Sequence, residues 1–476
     1  MFFLYSLLIT LGILVLLPLF LFNAVRHGKY VAGLGERMGG VRPLPRTDAP
    51  VIWLHCVSVG EAQAARPLAR ALRERFPAHA LVVSTTTLTG QRLARAVFRD
   101  EAAAVFYFPF DWAWSVRRTL RAIRPAVVLV METELWPRFL RECATRGVPV
   151  ALVNGRLSER SFRGYRKLGG FIRRVVGALT LAVMQTEEDA ARINALGLAP
   201  ERIRVAGNMK FDAPVEADAH ELTDTLRARF ALADTRPLIL AASTHAPEEA
   251  WLLAAFKLLR AALPSTNARL LVAPRHPERF NEVAALLAAS GLNWTRRSAA
   301  PAPSDRDSDV IMLDSIGELR ALYPLATLVF VGGSLAPTGG HNVLEPAAHA
   351  RCIVTGAHTF NFAAIVRDFL AQDALLQLPA LDEQQAPPAL ARLFQELLTD
   401  DARRQRLGAR ARAALEQSRG VTARTVAMLE EVIRGQRSEV KASERHAQAE
   451  LGGRAAAEPK TADADTKLKS TLTSNL

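Results

Sequence analysis

From residue 50 onward, short apolar runs alternate with helical patterns, and this alternation restricts the fold more than any other feature. VIWLHCV, ALVVST, RPAVVLV, VPVALVN, LTLAVMQ and IRVAG read as strands, with helical stretches such as AQAARPLARALRERF and TEEDAARINALG between them. DAPVEADAH breaks the pattern, which restarts with PLILAAS, ARLLVAPRH, DVIMLDS, TLVFVGGS and ARCIVTG. A long helix is expected from about Pro247 to Leu263. Runs apolar on both faces and separated by helices build parallel sheets from βαβ units. The halves also echo each other: VIWLHCVSVGEAQAARPLARAL and LILAASTHAPEEAWLLAAFKLL both read strand, turn, Glu at a helix start, long helix. The expectation is an α/β chain of two Rossmann-like domains, residues 23–212 and 213–434.

The ends read differently. Residues 1–22 carry no charged side chain, and Arg26, Lys29 and Arg37 follow. That pattern suits one N-terminal transmembrane helix with the bulk of the chain on the cytoplasmic side. A cleaved signal peptide fits less well, because its basic n-region is missing. Residues 435–476, rich in Ala, Ser, Thr, Lys and Glu, read as a disordered tail. The net charge of +13 calls for an anionic partner. No nucleic-acid-binding signature is present, so phosphorylated substrates and anionic lipid fit better. The three cysteines, Cys56, Cys143 and Cys352, are too few and too dispersed for a disulfide framework or a metal site. No cofactor or metal is expected.

Ligands of such sheets bind beyond the carboxyl ends of the strands. The loops there carry Glu61, Glu132, Glu134, Arg156, Lys210, Arg275, His276, Glu318, Asn342 and Glu345. Carboxylates and cations together suit proton transfer on an anionic substrate. Glu61, at a helix N-terminus, is either a base kept ionised by the helix dipole or a charge that merely complements that dipole. His55 lies inside an apolar run and reads as a core histidine. His341 reads equally as a turn residue or a site residue. GGSLAPTGGHNVLE follows a strand and opens a helix, a pattern that can cradle a phosphate on backbone N–H groups. It lacks both the P-loop ending and the GxGxxG spacing.

HCVSVGEAQAARPL, METELWP, NGRLSERSFRGY, GNMKFD, APRHPERF and GGSLAPTGGHNVLEPAAHA occur in this order behind the apolar N-terminus. The set resembles the 3-deoxy-D-manno-octulosonic acid (Kdo) transferases over roughly residues 1–430. That resemblance implies a GT-B fold, two Rossmann-like domains facing a cleft, and an inverting transfer of Kdo from CMP-Kdo to the lipid A precursor (lipid IVA) at the bacterial inner membrane. It implies Glu61 as general base, with Glu132 and Lys210 stabilising the transition state. It places CMP on Pro274, Arg275, Ile316, Gly317, Glu318, Asn342, Val343, Leu344 and Glu345. Cys56 stands where the family usually has Ala. Arg156, Arg160, Arg163, Arg166, Lys167, Arg173 and Arg174, interleaved with Phe162, Tyr165, Leu168 and Phe171, could hold the phosphorylated acceptor or the anionic leaflet. Two alternatives are a membrane-associated GT-B enzyme using a different donor, such as a UDP-sugar, and a non-enzymatic binding protein on the same fold.

Overall fold

The computed structural model describes residues 1–27, 32–44, 49–212, 220–232 and 236–435, with side chains of the first helix through residue 16. The expected tail lies outside these residues. The described residues divide into two compact units, the first of residues 1–62, 69–206 and 424–435, the second of residues 63–68 and 207–423.

The first unit holds a seven-stranded parallel sheet. Its strands are β1 (Val51–His55), β2 (Ala80–Thr85), β3 (Ala104–Tyr107), β4 (Pro125–Met131), β5 (Val150–Gly155), β6 (Leu181–Met184) and β7 (Ile203–Val205), in the order β3-β2-β1-β4-β5-β6-β7. The central strands are buried along nearly their whole length, only Ala126 of β4 being partly exposed, as the uninterrupted apolar runs require. Trp53 at the centre of β1 meets Phe106, Phe108 and Phe139, with ring centroids 5.2–6.0 Å apart. His55 is a core histidine as expected. It is fully buried, its Nδ1 lies 2.9 Å from Ser84 Oγ, and burial lowers its pKa to about 3.

The second unit repeats the design. Its strands are β8 (Leu238–Thr244), β9 (Arg269–Pro274), β10 (Trp294–Arg296), β11 (Val310–Met312), β12 (Leu328–Val331), β13 (Cys352–Thr355) and β14 (Leu376–Gln377), in the order β10-β11-β9-β8-β12-β13-β14. In each sheet the strand order reverses beside the first strand: β1 pairs with both β2 and β4, and β8 with both β9 and β12. Such a switch point opens a crevice at the carboxyl ends of the two diverging strands. The first crevice lies between the loops after β1 and β4, the second between the loops after β8 and β12.

The first helix, Phe2–His27, rests on the first unit. Tyr5 Oη donates to Asp111 Oδ2 at 2.8 Å, and Trp112 Nε1 donates to Thr10 Oγ1 at 3.1 Å. The Phe2 ring meets that of Phe171 at 5.3 Å, with the Arg141 guanidinium 4.5 Å above its centroid. Among the described residues no helix is long and apolar enough to cross a membrane. The expected span over residues 1–22 runs past the last described side chain of this helix.

Candidate functional site

The helix after β1 begins at Val59, and Ser58 caps it by accepting from the Glu61 N–H. The Glu61 side chain turns back on the cap: it accepts the Val57 N–H at 2.8 Å and the Ser58 hydroxyl at 3.0 Å. Only 7% of the residue is exposed. The expectation of a carboxylate kept ionised by the helix dipole is corrected here. Burial, and then the charges of Glu132 and Glu134, push Glu61 up to about 7, against the opposing pull of Val57 N–H and Ser58. Glu134 is also raised to about 7, by burial and by Glu132. Glu132 takes a left-handed backbone, φ 53°, immediately after β4, where its N–H donates to the Val153 carbonyl at 3.0 Å. A side chain held in that region signals a strained turn of the sort that collects at functional sites. The first crevice thus carries three acidic side chains, two of them poised to exchange a proton near neutral pH.

The second crevice is organised around a residue that the motif reading passed over. Glu248, at the start of the helix after β8, is fully buried. Its carboxylate accepts the N–H groups of Gly333, Ser334, Leu335 and Ala336 at 2.7–3.3 Å, and that of His245 at 3.0 Å. Residues 333–336 of the glycine-rich loop after β12 therefore offer a phosphate no free backbone donor. The backbone donors of residues 333–336 are spent on Glu248. The glycines serve close approach: a Cβ on Gly332 would lie 2.9 Å from the Glu248 carboxylate, and Gly333 has φ +65°. The helix that follows, Leu344–Ala348, is a single short turn.

The donor candidates gather on this unit. Pro274 ends β9, and the exposed Arg275 follows it, its N–H donating to the Thr244 carbonyl at 3.0 Å. Glu345 is held at its rim: Asn342 Nδ2 donates to Oε1 at 3.2 Å, Arg320 lies 3.8 Å away, and the buried Tyr323 hydroxyl donates to it. Val343 and Leu344 are buried beneath. Ile316 is 68% exposed, and Gly317 turns the chain at φ +89°. The Glu318 carboxylate is occupied by Arg297 at 2.9 and 3.0 Å and by the Ser315 hydroxyl at 2.7 Å. The 315–318 turn can therefore offer a ligand backbone groups rather than a free carboxylate. Lys210, in the turn Met209–Asp212, belongs by its contacts to the second unit, and its ammonium sits 5.8 Å from the Phe362 ring centroid. Among the described residues no group of three or more His, Cys, Asp or Glu is placed to hold a metal ion.

A family model described as 3-deoxy-D-manno-octulosonic-acid transferase (kdotransferase) matches residues 32–213. The 3-deoxy-D-manno-octulosonic acid transferase of Haemophilus influenzae is 34% identical over 406 residues, 85% of this chain and 92% of that protein. The transferase of Bordetella pertussis is 37% identical over 398 residues, 83% and 90% of the respective chains. The chain belongs to the Kdo transferase family. A glycosyltransferase from Rickettsia africae shares the fold at 13% identity, with a TM-score of 0.53 over 81% of this chain and 99% of that one. The activity of this family is a glycosyl transfer that moves Kdo in lipopolysaccharide synthesis.

For a Kdo transferase the motif reading reached most of the loops that line the two crevices. It missed what the side chains do to one another. Glu248 could have been found from the echo of SVGE in STHAPEE, since both place a Glu at the same helix start. The histidines of STHA, PRHP and GGHN come together as well: His245 Nε2 lies 2.8 Å from His341 Nε2, and the His276 ring meets that of His245 at 5.0 Å. No spacing rule would have joined them, because 96 residues separate the bonded pair.

Proposed function

We propose that the donor is CMP-Kdo and the acceptor a sugar hydroxyl of the lipid A precursor. The observation that carries this reading is Glu61: a carboxylate buried at a switch point, anchored by two hydrogen bonds and raised to about 7. A general base works best with a pKa near the operating pH. The acceptor oxygen attacks the anomeric carbon of Kdo and its proton passes to Glu61. The bond from that carbon to the phosphate oxygen breaks, and CMP leaves with the electron pair. Attack opposite the leaving group inverts the centre. Glu132 and Lys210 steady the charge that builds on Kdo and on the departing phosphate. Arg275 forks onto phosphate or the Kdo carboxylate. Glu345 accepts from the ribose hydroxyls, its carboxylate already aimed by Asn342 and Tyr323.

The same reading places the enzyme at the bacterial inner membrane, with residues 1–22 as a single-pass anchor and the catalytic units in the cytoplasm. Its support is local. The first helix shows Phe3, Leu4, Leu7, Leu8, Leu11, Leu14 and Val15 to solvent, between 44% and 80% exposed. Beside it, Phe171 touches Phe2 and Tyr5 within the segment that exposes Arg160, Arg163, Arg166, Lys167, Arg173 and Arg174. An apolar helix next to a basic patch suits an anionic leaflet and a phosphorylated lipid.

The test is direct. The full chain is incubated in detergent with CMP-Kdo and lipid IVA, and the products are weighed by mass spectrometry. A Kdo-sized increment on the lipid is expected. No transfer from CMP-Kdo, together with transfer from a UDP-sugar, would replace the donor.

A further inference from the structure

Three imidazoles meet at the carboxyl ends of three adjacent strands: His245 after β8, His276 after β9 and His341 after β12. The rings of His245 and His341 are nearly coplanar, 10° apart, with centroids 5.1 Å and Nε2 atoms 2.8 Å apart. They therefore meet end-on through an in-plane N–H···N hydrogen bond. One Nε2 must carry the proton and the other must offer its lone pair. In the neutral pair the accepting ring carries its own proton on Nδ1, so a further proton can go only to the donor ring's Nδ1 and gives one imidazolium. Two imidazolium rings would point N–H at N–H across 2.8 Å. The pair as built holds either no net charge or a single positive charge.

Its surroundings keep that charge off while the crevice is empty. From the β9 side come Arg275, His276 and, further along, Arg279. The carboxylates nearby are already engaged. Glu248 is spent on backbone N–H groups. Glu249 is paired with Arg279 at 2.7 Å, and Glu278 lies 3.6 Å from His276 Nδ1. Burial, then His245, Arg275 and His276 hold His341 down to about 4. Burial and His276 likewise lower His245, with Glu249 opposing them. The seat is fixed: a Cβ on Gly333 would come within 3.0 Å of His341 Cδ2. It also adjoins the donor residues, since His341 precedes Asn342 and His276 follows Arg275.

We infer that His245 and His341 form a one-proton acceptor that meets the phosphate of the nucleotide-sugar donor, charging when the donor binds and facing the phosphate as it leaves. The inference rests on the donor assignment above. The proton comes from solvent, and no bond other than N–H is made. A phosphate anion beside the pair offsets the repulsion from Arg275 and His276 that opposes protonation in the empty crevice. The bound state then holds more protons than the free state, so affinity falls as pH rises from the free value toward the bound one.

The test uses cytidine 5′-methylphosphate, a phosphodiester whose phosphate does not titrate between pH 5 and 9, on the full chain. Calorimetry at pH 7 in buffers of different ionisation enthalpy counts the protons taken up. Uptake of a fraction of a proton, at most about one, is expected, with affinity falling by up to about tenfold per pH unit. The double variant His245→Gln/His341→Gln keeps an amide–amide hydrogen bond but cannot titrate. It should take up none and lose the pH slope. His341→Gln alone serves if the double variant fails to fold, and should lose most of the uptake. Equal uptake in wild type and variant overturns the inference, as does equal uptake with cytidine, which has no phosphate. If the wild type binds the phosphodiester without proton uptake, the inference alone falls. If it binds neither the phosphodiester nor CMP, the donor assignment falls and takes the inference with it.

Discussion

Replacing Glu61 with Gln should slow the enzyme and stabilise it, and the stabilisation should depend on pH. The carboxyl is raised from 4.5 to about 7 by burial and by Glu132 and Glu134. Between those two values the folded chain keeps a proton that the unfolded chain has released, so stability falls as pH rises across that window. At 1.36 kcal/mol per unit the full penalty is ~3 kcal/mol, complete above pH 7. About 2.5 kcal/mol of it accrues between pH 5 and pH 8. Gln carries no charge and escapes it. A Gln side chain also loses one of the two acceptor contacts to Val57 and Ser58, but protonated Glu61 bears a similar loss. The difference between the proteins is therefore carried by ionisation.

Thermal melting of wild type and Glu61→Gln at pH 5, 6, 7 and 8 reads this out, because titrations of groups away from Glu61, Glu132 and Glu134 are common to both proteins and cancel in the difference. The variant should gain on the wild type by roughly 5–10 °C from pH 5 to pH 8, at about 2–4 °C per kcal/mol for units of this size. Turnover moves the other way. The wild-type rate should show an acid limb near pH 7, about half-maximal there and about a tenth at pH 6. The variant should be at least ~100-fold slower and without the limb. Parallel melting profiles would show that Glu61 titrates as an ordinary carboxylate. Near-wild-type turnover would return it to the role of a helix-end charge and move the search to Glu132 or Glu134.

Glu345→Gln should weaken CMP binding about 10- to 150-fold, the loss of a charge-assisted contact worth roughly 1.5–3 kcal/mol, and unchanged affinity by calorimetry would remove Glu345 from the donor site. Glu248→Gln replaces a carboxylate that gathers five backbone N–H groups with an amide that has one acceptor oxygen. It should cost roughly 3 kcal/mol or more and raise hydrogen exchange at residues 333–336; wild-type protection there would refute the latch. A chain starting near residue 25 should fold but melt several degrees lower, since it loses the Tyr5–Asp111 bond and the Phe2 contacts, together roughly 1–3 kcal/mol. An unchanged melting temperature would mean that the first helix rests on the first unit without stabilising it.

The central strands of both sheets were legible because each is buried on both faces and so reads as an unbroken apolar run. The strands that escaped detection lie at sheet edges. β3, β10 and β14 span Ala104–Tyr107, Trp294–Arg296 and Leu376–Gln377, and each is short and at least half only partly buried. An edge strand needs one neighbour and little apolar surface, so it leaves a weak pattern. The candidate loops were legible for a topological reason: in a parallel sheet they all emerge at the same end. What a loop does with its backbone was not legible. Gly-rich turn and helix start read together as an anion cradle, and the N–H groups of residues 333–336 in that turn hold the chain's own Glu248. The Glu61 environment was equally hidden, because its raised pKa comes from burial and then from Glu132 and Glu134 on another loop.

Glu61 and Glu248 occupy matching places in two copies of one design, and their different fates follow from the loops opposite them. Across the first switch point METELWP has no glycine, so its backbone does not fold over the Glu61 carboxylate. Glu61 keeps two donors, gains two acidic neighbours, and is left able to take a proton. Across the second, GGSLA wraps four N–H groups onto Glu248 and cancels its charge at close range. An exposed carboxylate there would repel a phosphate. A latched one lets Arg275 and the histidines set the sign of the field. On the proposed assignment, the glycines thus remove a negative charge from the unit that takes the anionic donor, while their absence in the first unit leaves a carboxylate where the acceptor's proton is to go.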